Sequence, residues 1–79
     1  MPNPKVNVNG KDYDTREEEF EIFREEWNEY RLMSGGRLRL KTVVQKIFQV
    51  IDEEGKPLID QSGESVVFVR HNSIVTTTR

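Results

Sequence analysis

Three cations stand at alternate positions in this chain, Arg37, Arg39 and Lys41, with Leu38 and Leu40 between them. Alternate side chains of a strand share a face, so this spacing gives one cationic and one oily side. Ser34-Gly35-Gly36 precedes the stripe and reads as a hairpin turn, because glycine accepts the positive φ of a tight loop. A three-residue loop over these positions sets Met33 opposite Arg37 and Arg31 opposite Arg39, which adds Arg31 to the cationic face. Like charges placed directly opposite repel, so four cations on one face call for an anion. The anion is either a phosphate backbone, bound in a salt-dependent way, or the chain's own acidic residues 17–29, or those of a neighbouring subunit.

The other residues capable of chemistry read more plainly. Glu17, Glu18, Glu19, Glu25 and Glu26 crowd a highly charged segment. Acid–base catalysis needs a carboxyl whose pKa is shifted by burial, and these read as a solvated face instead. His71 is the single histidine, and although Ser73 is near, no G-x-S-x-G elbow surrounds it. It reads as a surface turn residue. Gly35 and Gly36 join two strands and lack the lysine and helix of a phosphate loop. Phe20, Phe23, Trp27 and Tyr30 are spaced 3, 4, 3. That is one helical face, read as core, with a base-stacking platform as the alternative. No catalytic residue is assigned, and the chain is expected not to be an enzyme.

With 79 residues, one domain is expected, and its stability margin is thin. Small domains compensate with disulfides, a metal or oligomerisation. The chain has no cysteine and one histidine, which removes disulfides, thiolate zinc and multi-histidine sites, so no cofactor or metal is expected and oligomerisation remains. No apolar run is long enough for a membrane span or a signal peptide, and a cytoplasmic location is the expectation. Residues 1–30 carry a net −5 and residues 31–79 a net +3, an acidic front on a basic body.

These features need elements to position them. Residues 1–14 form an expected flexible N-terminal segment, in which Val6 and Val8 alternate as an edge strand would; residues 15–79 form the domain. Thr15 with Glu18 three residues on is a capping-box pattern, and a helix is expected over 16–28, followed by a strand at 29–33. Glu17, Glu18 and Glu19 also suit a helix N-terminus, although Phe20 and Ile22 alternate as in a strand. Residues 37–51 are the strongest β segment. Fifteen residues exceed the usual strand length, so a bend, bulge or break is expected near Thr42–Lys46. Asp52–Gly55 and Asp60–Gly63 read as turns, with an edge strand at 56–60 between them because Pro57 cannot donate to a central ladder. Strands at 65–70 and 73–77 flank a bend at His71-Asn72, since asparagine enters the left-handed region readily. No internal repeat is read. The expected fold is mainly β, a small antiparallel bent-sheet barrel with an N-terminal helix.

Residues 29–77 resemble the Sm-like family of small β-barrels. The resemblance rests on Gly35-Gly36-Arg37-Leu38, matching the family's Gly-containing turn and polar strand start, and on Val69-Arg70-His71-Asn72-Ser73-Ile74-Val75, similar to its second motif. It covers about 49 residues in element order. It implies ring-shaped homo-oligomers built by strand pairing between subunits, and single-stranded RNA bound near the pore. By motif, Arg70 and Asn72 would lie beside the base. An SH3-like barrel is the other β fold considered. The expected function is a non-catalytic homo-oligomeric module binding single-stranded RNA through Arg31, Arg37, Arg39, Lys41, Arg70 and Asn72. The alternative is a structural or protein-interaction subunit without nucleic acid.

Overall fold

The computed structural model describes residues 3–79. Five strands appear: β1 (Val6–Val8), β2 (Lys11–Glu18), β3 (Asn28–Arg31), β4 (Arg37–Ile51) and β5 (Val67–Thr78). All neighbours are antiparallel, and the sheet curls into a half-barrel. The axis of the fold is β4. β5 pairs with it over nearly its whole length, while on its other side β2 pairs with Asp14–Glu18 against Ile47–Ile51 and β3 with Asn28–Arg31 against Arg37–Leu40.

The mainly β architecture agrees with the sequence reading, but the N-terminal helix does not exist. Among the described residues there is no helix. Residues 16–18 end β2, and 19–27 run irregularly between β2 and β3. The expected cap residue explains why. Thr15 is 6% exposed; its backbone pairs with Val50 and its hydroxyl donates to the Pro4 carbonyl at 2.6 Å. Pairing with β4 holds the segment extended, and tertiary pairing overrides a local helix signal of modest strength. β2 crosses the expected boundary after residue 14, because Lys11–Glu18 is one strand, paired with β1 over Lys11–Tyr13 and with β4 from Asp14 on. Residues 1 and 2 of the expected flexible segment lie outside the described residues.

β4 is one strand of fifteen residues, bulged at Gln45, where the register to β5 shifts between Val44 and Lys46. The irregularity falls inside the expected interval. A bulge adds a residue on one strand only, so it reassigns faces. Arg37, Arg39, Lys41 and Val43 share a face with Lys46, Phe48 and Val50, because β5 places Asn72, Arg70 and Phe68 opposite Val43, Lys46 and Phe48 in unbroken alternation. The cationic stripe and the core therefore lie on the same face, at opposite ends of β4. The expected division into one cationic and one oily side holds only up to the bulge.

The core sits at the C-terminal end of β4. Phe48 and Val50 are its buried apolar residues, and Phe48 stacks on Phe68 with ring centroids 6.0 Å apart. The connection from β4 to β5 closes over this end by a device absent from the sequence reading. Residues 51–58 and 59–66 are two copies of one octapeptide, Ile-Asp-x-x-Gly at the start of each. The copies fold alike. Asp52 Oδ1 accepts from the amides of Glu54 and Lys56, and Asp60 Oδ1 from those of Ser62 and Glu64. Gly55 and Gly63 take positive φ of 79° and 84°. The eight-residue period then joins three equivalent positions in a closed ring. The Leu58 amide donates to the Val50 carbonyl, the Val66 amide to Leu58, and the Val50 amide to Val66, at 2.9–3.0 Å. Gln49, 7% exposed, donates through Nε2 to both the Val50 and Val66 carbonyls at 3.0 Å. Instead of an edge strand, residues 56–60 contribute isolated bridges, Ile51 to Pro57 and Ile59 to Ser65. Asp52→Ala and Asp60→Ala each remove an acceptor for two amides, and each is expected to lower stability by about 1 kcal/mol, read as a melting point about 4–8 °C lower at fixed protein concentration. Equal melting of both variants and the parent contradicts this.

β5 is continuous through His71 and Asn72, which pair with Val44 and Val43. The expected bend is absent. Asparagine tolerates a left-handed conformation without requiring it, and the long partner strand holds these residues extended.

Candidate nucleic-acid interface

All six residues singled out from sequence, Arg31, Arg37, Arg39, Lys41, Arg70 and Asn72, lie on one face of the sheet. Arg31 pairs across β3–β4 with Arg37, and β5 sets Thr78, Thr76, Ile74, Asn72 and Arg70 beside Arg37, Arg39, Lys41, Val43 and Lys46 in turn. From Arg37 to Lys46 the stripe is roughly 30 Å long at about 3.4 Å per residue. It is an open surface, not a pocket.

The hairpin register differs from the expected one by two residues. Leu32 and Gly36 close the loop, with the Leu32 amide donating to the Gly36 carbonyl at 3.0 Å, so the three loop residues are Met33, Ser34 and Gly35. Arg31 accordingly faces Arg37, and Glu29, not Arg31, faces Arg39. The change in electrostatics follows directly. Arg39 Nε lies 3.6 Å from Glu29 Oε1, and beyond the bulge Lys46 Nζ lies 3.3 Å from Glu17 Oε1. Both acids belong to the 17–29 segment, so that segment answers part of the stripe's charge. These pairs are half-exposed, and each is worth less than about 1 kcal/mol. Three cations of this face also lie over aromatic rings. The Arg39 guanidinium carbon is 4.8 Å and Lys41 Nζ 5.8 Å from the Trp27 ring centre, and the Arg70 guanidinium carbon is 5.9 Å from that of Phe48. Trp27 thus serves the cationic face, a role that its helical spacing with Phe20 and Phe23 concealed.

Among the described residues, Arg31, Arg37, Lys41 and Arg70 have no carboxylate within 4.0 Å. Arg31 and Arg37 line an open groove at the hairpin end with Gly36, Thr78 and Arg79. Away from this face, the hydrogen bond that Lys11 Nζ donates to the Glu53 carboxylate raises the Lys11 pKa above its ordinary value. His71 is exposed in mid-strand opposite Val44, and no group of three or more His, Asp or Glu among the described residues could hold a metal.

The opposite face carries Leu38, Leu40, Val44 and Ile47 of β4, Val69 and Val75 of β5, and Tyr30 of β3. The 19–27 segment crosses part of it, and an open groove of about 580 Å³ lies between Phe20, Ile22 and Phe23 on one side and Thr42, Val44 and Ile47 on the other. The aromatic stripe expected in the core is not buried there. Phe20, Tyr30 and Phe23 are 41%, 51% and 97% exposed, and Trp27 is half-buried. No helix among the described residues is long and apolar enough to cross a membrane. Comparison with known proteins returned no matching family model, no matching curated protein and no matching solved structure.

Proposed function

We propose that this chain is a non-catalytic structural or protein-interaction subunit that works as a homo-oligomer. The supporting observation is its surface. The accessible area is 6839 Å², whereas a monomeric protein of 9.3 kDa exposes about 5,000 Å². The radius of gyration, 17.5 Å, likewise exceeds the roughly 12 Å of a globular domain of this length. Large apolar side chains lie on that surface, with Phe23 and Met33 almost fully exposed. Light scattering after gel filtration is expected to give a mass of at least two chains. A monodisperse monomer at high concentration overturns this reading.

Binding of single-stranded RNA is a second reading, supported by the four cations without carboxylate partners on one face. Four phosphate contacts correspond to a slope of about −3 in log affinity against log salt for a single strand. A labelled oligonucleotide titrated at two salt concentrations is expected to show that slope, and Arg37→Glu with Arg39→Glu to abolish binding. Absence of binding at low salt removes this reading and leaves the first.

A further inference from the structure

We propose that the free edge of β5 is the surface on which a second copy of this chain pairs, antiparallel, to extend the sheet. The inference rests on the oligomeric reading above and assigns it a surface.

One side of β5 is bonded to β4 from Val67 to Thr78, and among the described residues no strand lies on the other. Every residue from Arg70 to Thr78 is exposed. An edge of that length is a template for another strand, and soluble proteins usually blunt it with lysine, proline, a bulge or a covering loop. β5 has none of these over its last turn of sequence. Ser73-Ile74-Val75-Thr76-Thr77-Thr78 contains no charge and no proline, five of its six residues are β-branched, and the bulge lies on β4. The strands at the other edges are short: β3 is four residues long and carries Glu29 and Arg31, and β1 is three residues long.

The occupant is a second copy because the strand complements itself. In antiparallel pairing about a two-fold axis normal to the sheet, opposed residues must share a face, so the axis passes through a residue. With the axis at Asn72, Ser73 or Ile74, Arg70 falls opposite Ile74, Thr76 or Thr78, and no cation opposes another. Each solution also joins the oily faces of the two copies side by side, through Val75, Leu40 and Leu38. A standard interface buries about 800 Å² per partner, well below the surplus of roughly 1,800 Å² that this chain exposes.

Two variants at exposed positions on the oily face of β5, Ser73→Lys and Val75→Lys, test the edge without adding charge to the cationic face. Combined, they are expected to weaken self-association at least about tenfold while the strand signal in circular dichroism persists, since lysine on an edge opposes pairing. Because the chain has no cysteine, single-cysteine variants read the same contact independently of folding losses. A residue opposes its own copy only at the axis, so under mild oxidation one of Asn72→Cys, Ser73→Cys and Ile74→Cys is expected to give a disulfide dimer, and Gln61→Cys, in the distant turn, is not. A parent protein that is oligomeric, with mass unmoved by the lysines and no cross-link through β5, overturns the edge assignment and leaves the oligomeric reading standing. A monomeric parent overturns both.

Discussion

Phe48→Ala is expected to unfold this protein or bring it to the verge of unfolding. Truncating a fully buried phenylalanine costs about 3–5 kcal/mol, and a domain of this length holds roughly 4–12 kcal/mol in total. Phe48 is 2% exposed, stacks on Phe68 and supports Arg70 over its ring. With Val50 it makes up the whole set of buried apolar side chains among the described residues. Few neighbours exist to collapse into the void, which places the cost toward the upper end of the range. The expected observation is a melting point at least about 12 °C lower at fixed protein concentration. Phe23→Ala is the counterpart. At 97% exposure the side chain has little to lose within one chain, and the expected change in chain stability is within about 0.5 kcal/mol. A Phe48→Ala protein that melts with the parent would mean that the core lies elsewhere.

The contrast between these phenylalanines shows how local signals and pairing divide the information. Backbone chemistry was legible. Gly35, Gly55 and Gly63, each read as a turn glycine, all have positive φ, and the excess length of residues 37–51 pointed to the bulge that now lies at Gln45. Partner choice was not. A helix over 16–28 satisfied the capping pattern and the aromatic spacing, and nothing within that segment announces Val50 and Gln49 as partners of Thr15 and Arg16. One misplaced loop residue moved the β3 register by two, and so turned a row of like charges into an Arg39–Glu29 pair. The stripe itself was legible because alternation is local; its partners Glu29, Glu17 and Trp27 depend on which strand lies beside which. The octapeptide repeat was present in the sequence all along, as Ile-Asp-x-x-Gly twice at an eight-residue interval. Reading the two turns singly hid the period that makes Val50, Leu58 and Val66 equivalent.

Gly36→Ala carries the second large effect, and its neighbour supplies the control. Gly35 and Gly36 both sit at positive φ, 107° and 97°, outside the range that an L side chain occupies without strain. Such a conformation costs about 1–3 kcal/mol for a residue with a Cβ. The surroundings then separate the two. A Cβ on Gly35 meets nothing within 4 Å, whereas one on Gly36 would lie 2.5 Å from the Thr78 carbonyl oxygen. That oxygen belongs to backbone, so relief requires the end of β5 to move away from β4 at the Arg37–Thr78 pair. Gly35→Ala is therefore expected to cost the conformational strain alone, and Gly36→Ala that strain plus the lost end of the ladder, about 2–4 kcal/mol in all. Hydrogen exchange separates a local from a global loss: amides of Thr76–Thr78 are expected to lose protection in Gly36→Ala while those around Phe48 keep it. The free edge of β5 ends at this point, so the same variant is expected to lower self-association more than Gly35→Ala does. Equal stability and equal protection in the two alanine variants would show that β5 does not approach the hairpin at Gly36.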